Sequence, residues 1–115
     1  INVFNNGNLY RDFTFIDDLV DSLCKVLFVN SKNNNNYKIY NLGNNSPIKL
    51  LDFIDSIEKE IGVKSNMKML PMQPGDVEKT WADTSEFIKD YGPVKTTKIK
   101  YGVKKFIDWY KSNIK

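Results

Sequence analysis

The chain reads as an α/β protein, in which short strand-like runs alternate with amphipathic helical runs. Three observations carry that reading. Apolar residues recur at helical spacing in three separate stretches: Ile16, Leu19, Val20, Leu23 and Leu27; Leu50, Ile54, Ile57 and Ile61; Ile99, Val103, Phe106, Ile107 and Tyr110. Before and between them stand "INVF", "YKIYNLG" and "NMKMLPM", compact runs with the composition of strands. Asn-Gly, Pro-Gly and Gly-Pro pairs punctuate the joints as turns.

Taken in order, "INVFNNG" is a short strand with a turn at Asn6-Gly7. "LYRDFTF" alternates polar and aromatic residues, as a half-buried strand does. Thr14 opens a capping box with Asp17, and Asp17 and Asp18 fall in the first helical turn, where the helix dipole favours negative charge. That role is preferred to an acid/base pair. Cys24 follows Val20 by one turn and is expected to be a buried, inert thiol. Residues 30–38 form an Asn-rich polar loop. "YKIYNLG" is apolar enough for a strand inside a larger parallel sheet. Ser46 is expected to cap a helix with Pro47 at its first position, and Gly62 to end it. "NMKMLPM" suggests another strand and "VEKTWAD" an extended piece. Asp83 with Glu86 caps a helix over residues 85–91, stopped by Gly92-Pro93, and the last helix follows Thr97. Trp81 and Trp109 are expected to be core or interface aromatics.

Composition narrows the function classes. With 115 residues, 41% hydrophobic and 13% aromatic, the chain is one compact domain with a modest core or a piece of a larger one. Its net charge of +3 is spread out, most basic over residues 95–115, and argues against a nucleic-acid partner. A single cysteine excludes an internal disulfide and suits a reducing cytoplasm. The absence of histidine removes Ser-His triads and most zinc sites. No apolar run approaches the ~18 residues of a membrane span, and no signal peptide is visible. The chain enters directly into "INVF" from Ile1, has few strands and lacks a Gly-rich βα turn. It reads like the back half of something.

With these residues placed, nearly all of the chain resembles the C-terminal portion of an extended short-chain dehydrogenase/reductase acting on nucleotide sugars, with the pattern of the UDP-glucuronate 4-epimerases. The resemblance rests on "VFNNGNLYRDFTFIDDLVD", "YNLGNNSPIKLLDFI", "LPMQPGDVEKTWADTSEF" and "GVKKFIDWYK", in the family's order. It implies a substrate-binding domain over residues 1–115, with the NAD-binding Rossmann half absent. It also implies a UDP-sugar as ligand, a parent enzyme that is a homodimer, and a place in polysaccharide biosynthesis. In the family, a hydride passes from C4 of the sugar to NAD, with a Tyr as base beside a Lys, and returns to the other face of a 4-keto sugar. A stereocentre is inverted only by way of a planar state, and the nicotinamide does the hard step. No Gly-x-x-Gly-x-x-Gly turn occurs here, and the Tyr101/Lys105 pair has the catalytic spacing in the wrong place. No catalytic residue is assigned, and the chain is expected to be inactive alone.

The resemblance carries binding residues over one by one. Arg11, the only arginine in the chain, matches the residue that grips the diphosphate, where a permanent cation with a donor fork suits phosphate oxygens. The competing reading pairs it with Asp12 or Asp76. Asp76 in "PGD" matches the acceptor for the ribose hydroxyls; the competing reading is a turn-capping Asp. Gln73 stands where galactose epimerases carry a second phosphate-binding Arg, and Thr80 where they carry a Tyr. Asn2 and Phe4 match the strand that holds the uracil, although Phe4 is equally readable as core. The alternative for the whole chain is a stand-alone α/β module that binds a nucleotide or a protein without catalysis. A stand-alone module would bury the apolar faces that an orphaned half exposes.

Overall fold

The computed structural model describes residues 1–28 and 37–114; most of the expected Asn-rich loop lies outside them. Four two-residue strands make two ribbons. β1 (Asn2–Val3) runs parallel to β4 (Lys68–Met69), extended by Leu70 N–H donating to the Val3 carbonyl at 2.9 Å. β2 (Tyr10–Arg11) runs antiparallel to β3 (Ile48–Lys49), placing Arg11 opposite Ile48, and Tyr10 also bridges in parallel to Lys79. Such ribbons are marginal alone and lean on the helices. These are α1 (Ile16–Phe28), α2 (Leu50–Ile61), α3 (Ser85–Tyr91) and α4 (Ile99–Asn113).

The core is small. Val3, Leu9, Phe87, Val103 and Ile107 are its buried apolar residues, and α2 packs along α4. The molecule measures 52 × 38 × 20 Å with a radius of gyration of 17.1 Å. A compact chain of this length has about 13–14 Å, so the fold is open.

The openness is concentrated at α1. Its apolar stripe exists as the spacing requires, yet Ile16, Val20, Leu23, Leu27 and Phe28 are all exposed, the last two at 74% and 81%. Cys24 shares this uncovered helix and is exposed, contrary to the expectation of a buried thiol. What holds α1 is polar. Asp18, only 2% exposed, accepts the Thr97 backbone N–H and hydroxyl at 2.5 and 2.9 Å, tying its first turn to the approach of α4. Asp17 does not close a capping box with Thr14 but faces Lys105 at 3.5 Å.

Two other expectations are corrected, and a third segment is placed. Helix α2 starts at Leu50, not after Ser46, because Ile48–Lys49 is drawn into the β2 ribbon and the Leu50 N–H donates to the Leu9 carbonyl at 2.8 Å. "YKIYNLG", read as belonging to a larger parallel sheet that is not here, has no strand partner among the described residues. It lies instead on α3: Tyr40 meets Phe87 and Tyr91 at ring distances of 5.9 and 5.4 Å, and Lys38 and Tyr40 both donate to Asp90. Lys38 also pairs with Glu86 at 2.6 Å, and the bond from Lys38, with that from Tyr40, holds the Asp90 carboxyl below its usual range. Of the core or interface places expected for Trp81 and Trp109, the core one is overturned, since both are exposed, at 55% and 52%. No helix among the described residues is long and apolar enough to cross a membrane.

Candidate functional site

Strand β2 and the segment over residues 73–80 together build the site. The Asp76 N–H donates to the Gln73 carbonyl at 3.2 Å, closing a four-residue turn with Pro74 and Gly75 at its centre. Proline presets the first central position, and Gly75, at φ +81°, supplies the left-handed second one. Beyond the turn the chain runs beside β2: Tyr10 N–H donates to the Glu78 carbonyl at 2.8 Å, and Thr80 N–H to the Tyr10 carbonyl at 3.2 Å.

This geometry brings Arg11 and Asp76 together across 65 residues of sequence. Nη2 of Arg11 lies 2.8 Å from Oδ1 of Asp76, while Nη1 donates to the carbonyls of Tyr10 at 2.9 Å and Glu78 at 3.2 Å. The same Oδ1 accepts the Val77 N–H at 2.9 Å. Both side chains remain partly open to solvent. The arrangement offers a fixed cation and an anion side by side, suited to a ligand carrying a negative group next to a donor. The bond from Val77 is that of a turn-capping Asp, and the ion pair is the competing reading of Arg11, the one that pairs it with Asp76.

Thr80 joins the site through its backbone, and Gln73 supplies the turn's carbonyl. Asn2 and Phe4 stand apart from the pair, on and just after β1. Asp12, offered at most as an ion partner of Arg11, does something else. Its carboxylate accepts the backbone N–H groups of Asn45 at 2.9 Å, Ser46 at 3.2 Å and Ala82 at 3.2 Å. Gly43 packs so tightly here that a Cβ would lie 2.6 Å from that of Ala82 and 2.9 Å from Asp12 Oδ2. Asp12 thus fastens two segments, residues 45–46 and Ala82, beside β2, and its only trace in the sequence is adjacency to Arg11. A further missed feature is Lys79, whose ammonium lies 5.0 Å from the Trp81 ring centre and 5.9 Å from that of Tyr10.

Two recesses flank these elements. A polar one of about 460 Å³ is lined by Asp12, Thr14, Tyr40, Asn41, Thr80 and Trp81, among others. An apolar groove of about 300 Å³ between α2 and α4 includes Phe13, Phe53, Val103 and Phe106, has no charged side chain, and involves neither Arg11 nor Asp76. Among the described residues no three His, Cys, Asp or Glu side chains could hold a metal ion. Tyr101 and Lys105 lie on α4, with Tyr101 exposed and Lys105 turned to Asp17. A second pair of that spacing, Tyr91 and Lys95, straddles the end of α3, where Lys95 meets Asp21 at 3.3 Å.

No protein-family model matches the chain. It is 36% identical to UDP-glucuronate 4-epimerase 1 of Arabidopsis thaliana over 94% of its own length and 28% of that protein's. It is 32% identical to a probable UDP-glucuronate 4-epimerase of Rhizobium meliloti over 98% and 38% of the respective chains. The crystal structure of UDP-glucuronic acid 4-epimerase from Bacillus cereus, in complex with UDP-glucuronic acid and NAD, superposes on 96% of the chain with a TM-score of 0.82 and 29% identity, using 35% of that structure. The α/β class is that of these Rossmann-type neighbours. The chain spans about a third of the length of the curated relatives it matches. By sequence and by fold, then, the chain is similar to the nucleotide-sugar 4-epimerases among the extended short-chain dehydrogenase/reductases over about a third of their length, which is consistent with a C-terminal portion of such a protein.

Proposed function

We propose that these 115 residues are the substrate-binding part of a cytoplasmic, NAD-dependent 4-epimerase of UDP-glucuronate or a related UDP-hexose, without turnover of their own. Arg11 binds the diphosphate and Asp76 the ribose hydroxyls, with Gln73 and Thr80 beside them and Asn2 and Phe4 toward the uracil. The observation that carries this reading is the likeness of nearly the whole chain to the UDP-glucuronic acid 4-epimerase complex; Arg11, from β2, and Asp76, from the turn before Lys79, stand 2.8 Å apart, which is also the ion pair of the competing reading. A guanidinium and a carboxylate at that spacing suit adjacent phosphate and hydroxyl groups of one nucleotide.

The residues present do not fit NAD. No Gly-rich turn leads from a strand into a helix N-terminus, the arrangement that cradles a pyrophosphate. In this reading NAD and the catalytic Tyr and Lys belong to a Rossmann portion beyond these residues, which also carries the homodimer contact. The exposed stripe of α1 supports a part of a larger fold over a stand-alone module, since an apolar helix face of this width is normally covered.

Arg11→Ala is expected to weaken UDP binding more than about tenfold, or ~1.4 kcal/mol, by calorimetry. An unchanged affinity refutes the phosphate assignment.

A further inference from the structure

We infer that Asn6 is a site of self-modification, at which the side-chain amide is converted to an acid, and that the closed β1–β4 ribbon holds the reaction off. Asn5, Asn6 and Gly7 are three consecutive residues in the left-handed region, at φ 48°, 50° and 78°. Residues other than glycine visit that region singly, so such a run persists only where its surroundings hold it. Here the Asn6 N–H donates to the Leu70 carbonyl at 3.1 Å and the Asn8 N–H to the Asn5 carbonyl at 2.8 Å. The Asn5 side chain donates to the Asn8 carbonyl at 2.9 Å. Gly7 is buried against α2, where a Cβ would lie 2.6 Å from Cγ of Leu51. Asn6 itself is exposed.

An asparagine followed by glycine reacts with its own backbone, since no side chain on the next residue shields the attacking nitrogen. The Gly7 amide nitrogen gives up its proton to hydroxide and bonds to Cγ of Asn6. The Cγ–Nδ2 bond breaks, and ammonia leaves with a proton taken from water, which restores the hydroxide. A second water opens the five-membered imide at either carbonyl, leaving aspartate or isoaspartate at position 6; nothing is oxidised or reduced. The ring closes only when Cβ of Asn6 eclipses the Gly7 nitrogen across the Cα–C bond. At the ψ of 31° in the closed turn the two stand on opposite sides of that bond, so the turn must open first. What keeps it closed is slight: two residues per strand, with Lys68 N–H donating to the Ile1 carbonyl and Leu70 N–H to that of Val3, both at 2.9 Å. Asn45, also left-handed at φ 52°, is better guarded, because the amide that would attack it, that of Ser46, donates to Asp12 at 3.2 Å. An isoaspartate carries the main chain through Cβ, one atom longer, and a turn with no room for a Cβ at Gly7 does not absorb it. The ribbon that opened to react then fails to reclose in register.

Trypsin releases residues 1–11 as one peptide, because no Lys or Arg precedes Arg11. Fragmentation of that peptide in the mass spectrometer assigns an amide-to-acid mass gain to Asn2, Asn5, Asn6 or Asn8. After incubation of the whole chain in mildly alkaline buffer, Asn6 is expected to be the residue converted, about tenfold or more faster in urea-unfolded than in folded protein. Its rate in the folded protein is expected to rise with urea before the circular dichroism transition begins, as local opening of the ribbon requires. If Asn6 stays intact in the unfolded chain, or converts no faster there than Asn5 and Asn8, the site is wrongly assigned. Equal rates in folded and unfolded protein refute the protection. A folded-state rate that rises only with global unfolding shows that the β1–β4 ribbon is not the gate.

Discussion

Helices α1 and α2 have the same kind of sequence and opposite fates. Each carries an apolar stripe, and each is anchored by one buried carboxylate, Asp18 in the first turn of α1 and Glu58 in the last turn of α2. Asp18 takes the backbone and hydroxyl of Thr97; Glu58 takes Lys64 at 2.7 Å and the backbone and hydroxyl of Ser65 at 2.8 and 2.6 Å. Yet α2 lays most of its stripe against α4, with only Ile61 at its end exposed, while most of that of α1 faces outward. Amphipathicity states that a helix has something to bury. It does not state that the burying surface lies within the same 115 residues.

The contrast can be broken hardest on the packed side. Ile107, 4% exposed on α4, is expected to cost about 2–5 kcal/mol as Ile107→Ala, through lost burial and the cavity left behind. Urea unfolding measures it, and a cost below about 1 kcal/mol would mean that the α2–α4 side is no better packed than α1.

The carboxylate that anchors α2 gives a smaller, pH-dependent effect. The bonds from Lys64, then Ser65, hold the Glu58 carboxyl at about 2, below its ordinary 4.5. A depressed carboxyl contributes stability above its unfolded value, and that contribution disappears as pH falls from about 4.5 toward 2. Thermal melts across this window are expected to fall more steeply for the unmodified protein than for Glu58→Gln. Parallel acid limbs would show that Glu58 has no such role.

The smallest change is expected on the open side. Leu27→Gln should alter stability by less than about 0.5 kcal/mol, since nothing is uncovered, while lowering self-association in sedimentation. A loss near that of Ile107→Ala would show that the α1 face is covered in solution.

Much of this was legible in the residues. Gly62 ends α2 where expected, its N–H donating to the Glu58 carbonyl at 2.8 Å, and the Pro-Gly pair forms the turn it announces. These are local matters of backbone preference and short-range bonding. At the start of α2, Ser-Pro is a sound helix opening in isolation, and only the pairing of Ile48 with Arg11 overrides it. Of the candidate binding residues, Arg11 and Asp76 meet in space, Thr80 and Gln73 follow by backbone, and Asn2 rests on the other ribbon with Phe4 just after it. The backbone clasp of Asp12 was hidden, because three amides from distant segments leave no pattern along the chain.

The α/β alternation, the helix faces, the lone arginine and the Pro-Gly-Asp turn are written in the order of the residues, because periodicity and turn chemistry act over a few positions. The Arg11–Asp76 ion pair, the uncovered face of α1 and the packing of "YKIYNLG" on α3 are written only in three dimensions. Each depends on which surfaces meet across tens of residues, and that is settled by the competition for burial and for hydrogen-bond partners throughout the fold.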